Sequence, residues 1–152
     1  MIQRIQTIYL FLAFALCLGC LCTPIAHFMV NESMETVDMY NLWLVSEGQH
    51  LFSFCPVMMG ILVIVSSLVF LDIWMFKHRA FQMRVASLCM ILLVAWYIAY
   101  GVISYLLVTE MPATWRPHWT AALPAAALIL LYLAFRGILK DEMLVRSLDR
   151  LR

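Results

Sequence analysis

Four stretches of this chain contain no Lys, Arg, Asp or Glu: Ile5–Asn31, Gly48–Leu71, Val85–Thr109 and Pro117–Phe135, with lengths of 27, 24, 25 and 19 residues. A helix rises ~1.5 Å per residue, so about 20 residues cross a ~30 Å hydrocarbon core. Each run has about the length for one crossing. The rest of the composition agrees, with 65% of the 152 residues hydrophobic and 12% charged, where soluble domains average about 45–50% and about 25%. The longest stretch between runs, Glu32–Glu47, has 16 residues, too few for a soluble catalytic domain or a nucleic-acid module. The predicted fold class is therefore an all-α integral membrane protein, a four-transmembrane-helix antiparallel up-down bundle. The chain reads as one domain, 1–152, with spans near 7–29, 51–75, 86–108 and 119–138. An outer segment 30–50, a loop 76–85 and a tail 139–152 lie between and after them.

Orientation follows from the basic residues, because cytoplasmic flanks carry the excess of Lys and Arg. The segment Glu32–Glu47 has neither, and the connection Glu110–Arg116 has Arg116 alone. The other side collects Arg4, Lys77, Arg79, Arg84, Arg136, Lys140, Arg146, Arg150 and Arg152. Both termini are thus expected in the cytoplasm, with a C-terminal helix extending there, in a multi-pass protein of a bacterial inner membrane. The first run is too long for a signal-peptide apolar core of 7–15 residues. Cys17 also stands where a lipoprotein signal ending at Cys20 would place Leu, so a retained first span is expected.

Trp43, Trp115 and Trp119 fall near the expected outer surface and Trp74 near the inner one, as interfacial indoles do. Pro24, Pro56 and Pro124 lie close to outer helix ends, and Pro24 is expected to bend the exit of the first span. The outer segment is too apolar for a solvated loop; it reads as a short interfacial helix or a hairpin strand, and the sequence does not choose. Small residues offer close-packing faces: Ala13, Ala15, Cys17 and Gly19 in the first span, Ala95 and Ala99 in the third, Ala121, Ala122, Ala125, Ala126 and Ala127 in the fourth. The expected partners are the bilayer itself and a protein partner or second copy, with no nucleic acid.

Asp72 is the single carboxylate inside an expected span. It lies five residues before Lys77, about 7 Å along a helix. That depth favours a structural ion pair with Lys77, Arg79, Arg84 or Arg136; proton coupling is the alternative. Cys17 and Cys20 form a CxxC on a helix, the pattern of a quinone-linked redox protein, but the outer segments hold no second cysteine pair to relay electrons. Packing is the plainer role for them. His27, His50 and His118 fall near outer span ends and are weak candidates for a metal or haem site, without tight ligand spacing. No nucleophile elbow or phosphate-cradling glycine loop is present, so no catalytic residue and no cofactor is assigned.

The fourth run continues without a breaker into RGILKDEMLVRSLDRLR, where Leu144, Leu148 and Leu151 share a helical face and Glu142 precedes Arg146 by four. Its alternating charges suit a protein surface, with Arg146 and Arg150 as contact residues. This closing segment and the opening MIQRIQTIYLFLA resemble an uncharacterised family of small inner-membrane proteins from Bacteroidota, catalogued as domain of unknown function 4293. The resemblance covers essentially the whole chain and implies four inner-membrane helices, without implying an activity. Gln3, Arg4 and Gln6 are then expected beside Lys140–Arg152 as a joint cytoplasmic surface. The function read from the sequence is a non-enzymatic accessory or scaffold protein with a basic cytoplasmic face. The alternatives are a quinone- or haem-linked redox protein and a small four-helix transporter or channel.

Overall fold

The computed structural model describes residues 2–30, 35–46, 49–51, 56–75, 79–110 and 113–149. Four helices, α1 (Ile2–Cys22), α2 (Pro56–Trp74), α3 (Arg79–Glu110) and α4 (Leu123–Asp149), hold most of the chain. Each contains a window long and apolar enough to cross a membrane: Ile5–Cys22, Pro56–Trp74, Ala80–Glu110 and Trp119–Leu144. Only about a third of each window is buried within the protein (28–33%). Phe11, Ile64, Leu71, Ile91, Ile98 and Ile129 all point outward, more than half exposed. A helix apolar on both its packed and its outward face has the character of a membrane span or of a helix buried in a larger protein.

The helices pack α1 against α2 and α4, and α3 against α2 and α4. Their senses alternate. Gln6 at the start of α1 bonds to Asp141 near the end of α4, and Gln82 at the start of α3 bonds to Asp72 at the end of α2. At the opposite end Tyr97 of α3 bonds to Ala121, just before α4. The seam between helices is filled by Leu10, Ala13, Cys17, Leu62, Val65, Val69, Cys89, Leu93, Trp96, Ala127, Leu131 and Ala134. Ala13, Ala127 and Ala134 let neighbouring backbones approach, as packing in lipid requires.

The chain is not all-α. Five short strands, β1 (Ala26–Val30), β2 (Thr36–Met39), β3 (Leu44–Ser46), β4 (Gln49–Leu51) and β5 (Ala113–Pro117), form one antiparallel sheet in the order β4-β3-β2-β1-β5. The sheet lies over one end of the helices. The first apolar run is divided between helix and strand because Pro24 ends α1 rather than bending it. Proline lacks an N–H and its ring clashes with the carbonyl four residues back. Beyond it the pattern has period two: Ala26 and Phe28 are buried, His27 is half-exposed and Met29 exposed. Val37 and Met39 of β2 and Leu44 of β3 continue the buried face. One face of the sheet therefore closes the apolar interior, and the other carries Arg116, His27, Asp38 and Val45 in one cross-strand row. Antiparallel sheets tolerate this division between a packed and a wet face.

Candidate functional site at the helix–sheet junction

The exit of α1 concentrates the polar chemistry. In a continuing helix the Cys20 carbonyl would accept the N–H of residue 24, but that residue is Pro24. Asn41, between β2 and β3 and 1% exposed, supplies the donor instead: its Nδ2 lies 2.6 Å from the Cys20 carbonyl. The same amide accepts from Trp96 Nε1 at 3.1 Å. Thr23 Oγ1 donates to the Gly19 carbonyl at 2.8 Å, and Thr120 Oγ1 donates to the Pro24 carbonyl. The Ile25 carbonyl accepts from the His118 N–H at 3.0 Å and faces the Tyr100 hydroxyl at 3.4 Å, while the Ile25 N–H donates to the Met39 carbonyl at 2.7 Å. Backbone groups stranded by one proline are thus recovered by α3, by the sheet and by the turn before α4. Trp96 stacks on Tyr100 (5.5 Å, 4°) and meets Tyr97 edge-on (5.0 Å, 87°), which holds the donors in place.

On the wet face, His27 Nδ1 donates to Asp38 Oδ1 at 2.6 Å. That bond fixes the imidazole tautomer and leaves Nε2 as the acceptor of the neutral ring. His118 meets the His27 ring edge-on at 5.0 Å, and its own Nδ1 is 2.8 Å from Thr120 Oγ1. His27 and His118 are therefore brought together. His50 is three strands away on β4, about 14 Å at ~4.8 Å per strand. Among the described residues no group of three or more His, Cys, Asp or Glu side chains is placed to hold a metal ion. The side chains of the His27–Asp38 pair are 38% and 39% exposed. Solvent screening then limits the pair's worth to at most about 1 kcal/mol, so Asp38→Ala should shift the unfolding midpoint in detergent only slightly.

Cys17 and Cys20 are fully buried free thiols on the packed face of α1, and Cys20 Sγ lies 3.8 Å from Asn41 Nδ2. At the other end of the helices, Gln6 Nε2 donates to Asp141 Oδ2 at 2.8 Å, both side chains buried. Gly137 makes room for this bond, since a Cβ there would come within 3.1 Å of Gln6 Cγ and 3.2 Å of its Nε2. Arg84 and Arg136 are exposed at the same end. The backbone of Arg146 continues α4, whereas its side chain, Arg150, Lys77 and the side chain of Arg79 lie outside the described residues.

Asp72 is 1% exposed, and neither carboxylate oxygen has a hydrogen-bond partner among the described residues; Gln82 reaches only its backbone carbonyl, at 3.3 Å. A buried charge without a partner costs free energy. Asp72→Asn should therefore leave the unfolding midpoint in detergent unchanged or raise it, and a clear fall would reveal a partner for the carboxylate.

The junction's donors, Asn41, Trp96, Thr120 and Tyr100, carry no motif and form no pattern along the chain. One signal does precede them: a proline four residues after the last buried cysteine of a helix strands a carbonyl that some side chain must reach.

Four helices long and apolar enough to cross a membrane, closed at one end by a sheet, with buried polar groups bonded across elements, define the class of the fold. The chain belongs to the family described as Domain of unknown function (DUF4293), which matches residues 2–151. No curated protein matches it.

Proposed function

We propose that this is a non-enzymatic accessory or scaffold protein of a bacterial inner membrane. Both termini lie in the cytoplasm, the sheet lies outside, and the basic end is offered to a protein partner. One observation carries the reading: the buried polar side chains are spent on holding the fold. Gln6, Asn41, Ser66, Gln82, Thr120 and Asp141 all bond within the chain, and among the described residues the fully buried side-chain oxygens without a partner belong to Asp72 and Ser104. The chemistry left accessible is charge. Among the residues with described backbone, Arg4, Arg79, Arg84, Arg136, Lys140 and Arg146 lie toward the end of the helices away from the sheet and Arg116 lies in the sheet, which supports that end as the cytoplasmic one. Arg84, Arg136 and Lys140 are exposed at that end, which also holds the Gln6–Asp141 bond.

Affinity purification from native membranes in mild detergent tests this, comparing wild type with a double charge reversal, Arg146→Glu and Arg150→Glu. A stoichiometric partner held by wild type and lost from an equally stable variant is the expected result. A partner held equally by both, or a clean homo-oligomer, would contradict the reading.

A further inference from the structure

His27 and His118 stand out among the accessible side chains, because each imidazole is held in one tautomer. His27 Nδ1 gives its proton to Asp38 Oδ1 at 2.6 Å. For His118 the bonds around Thr120 decide. Thr120 Oγ1 spends its single proton on the Pro24 carbonyl, so toward His118 Nδ1, 2.8 Å away, it accepts. The Thr120 N–H, 3.5 Å from Nδ1, is at the limit of hydrogen-bond distance and does not compete. Both neutral rings therefore carry the proton on Nδ1 and leave a lone pair on Nε2. No hydrogen bond among the described residues uses either Nε2. The backbone keeps the two rings together: His27 pairs with Arg116 across β1 and β5, and the His118 N–H donates to the Ile25 carbonyl at 3.0 Å. The ring centres lie 5.0 Å apart, with the planes at 87°.

We propose that His27 Nε2 and His118 Nε2 together bind one divalent transition-metal ion of the Zn²⁺ kind. Two imidazoles on a tetrahedral ion, with Zn–N ~2.0–2.1 Å and each ring centre about 1.1 Å beyond its nitrogen, set their centres about 5 Å apart. The observed separation matches that spacing. Metal-ligating histidines give their other N–H to a carboxylate or another oxygen, which orients the ring and strengthens it as a ligand. Asp38 and Thr120 hold those two places. Two protein ligands make an open site, completed by water. Charge selects the ion. Asp38 and the exposed Arg116 flank His27 in one row and offset each other, so the site offers neutral nitrogen. Zn²⁺, Cu²⁺ and Ni²⁺ suit imidazole, whereas Ca²⁺ and Mg²⁺ suit oxygen. The site goes beyond the scaffold reading and does not rest on it.

The test uses the full chain in mild detergent, freed of any histidine tag, and reads Zn²⁺ affinity by competition with a chromophoric chelator. One ion per chain is expected, undisturbed by excess Ca²⁺ or Mg²⁺. His27→Gln and His118→Gln should each weaken binding by about tenfold or more. Asp38→Asn leaves both ligands in place and should weaken it by about tenfold, the loss typical of a ligand's supporting carboxylate. Zn²⁺ should also raise the unfolding midpoint of the wild type and not of the His27→Gln chain. Two nearby donors serve as controls: Cys22, an exposed thiol at the end of α1, and His50 of β4. Cys22→Ser and His50→Ala should change nothing. Absence of saturable binding, wild-type affinity in either His27→Gln or His118→Gln, or loss of binding in Cys22→Ser or His50→Ala would each overturn the proposal.

Discussion

Replacing Asn41 with Leu is expected to destabilise the protein by about 2–4 kcal/mol, the largest effect of any single side chain outside the helix seam. The substitution removes both bonds of a side chain that is 1% exposed, leaving the Cys20 carbonyl and the Trp96 N–H unpaired in the interior. Each buried polar group left without a partner costs ~1–3 kcal/mol. Water offers no replacement in so closed a site. Asn41→Asp separates the two roles: it keeps an acceptor for Trp96 but sets a carboxylate against the Cys20 carbonyl, so its loss should equal or exceed that of Leu. Unfolding in mixed micelles followed by Trp fluorescence measures both. If Asn41→Leu costs less than about 1 kcal/mol, the junction is not what fastens the sheet to the helices.

A loss of about 2–3 kcal/mol is expected for Gln6→Leu at the opposite end. Asp141 is buried and receives Gln6 Nε2 at 2.8 Å, and a hydrogen bond to a charged group is worth ~1.5–3 kcal/mol. Asp141→Asn should lose less, because an amide still accepts from Gln6 and no bare charge remains. Gly137→Ala sets two effects against each other. Alanine gains ~1 kcal/mol of helix propensity over glycine, but its Cβ would crowd Gln6 to 3.1–3.2 Å and displace a bond worth more. A net loss is therefore expected, and Gly137→Leu should be worse. Thermal unfolding of the four variants in one detergent orders them.

The four helices were legible because a charge-free run of about 20 residues leaves few alternatives. The sheet was not. Its strands have three to five residues, at or below the short end of the ~4–8-residue windows in which period-two alternation declares itself. Ala26–Val30 sits inside an unbroken apolar run, where AHFMV reads as the end of a span. Its partner Ala113–Pro117 is more than eighty residues away, and nothing local announces that His27 will face Arg116. The joint between α1 and α4 was half visible. The polar opening of the chain and its charged tail drew attention to Gln6, but the bond to Asp141 follows from helix packing and not from spacing. Asn41 illustrates the harder case. Among the apolar neighbours of MYNLWLV it looks like a turn residue, and only the stranded Cys20 carbonyl explains why an amide is buried there.

The proposed arrangement has the helices crossing a bilayer, with the sheet outside and the basic end in the cytoplasm. Single cysteines at exposed positions, Thr36→Cys on β2 and Lys140→Cys on α4, in a cysteine-free background test it directly. Labelling with a membrane-impermeant maleimide should reach position 36 in intact spheroplasts and position 140 only after lysis. Labelling of position 140 in intact spheroplasts, with or without position 36, would contradict it.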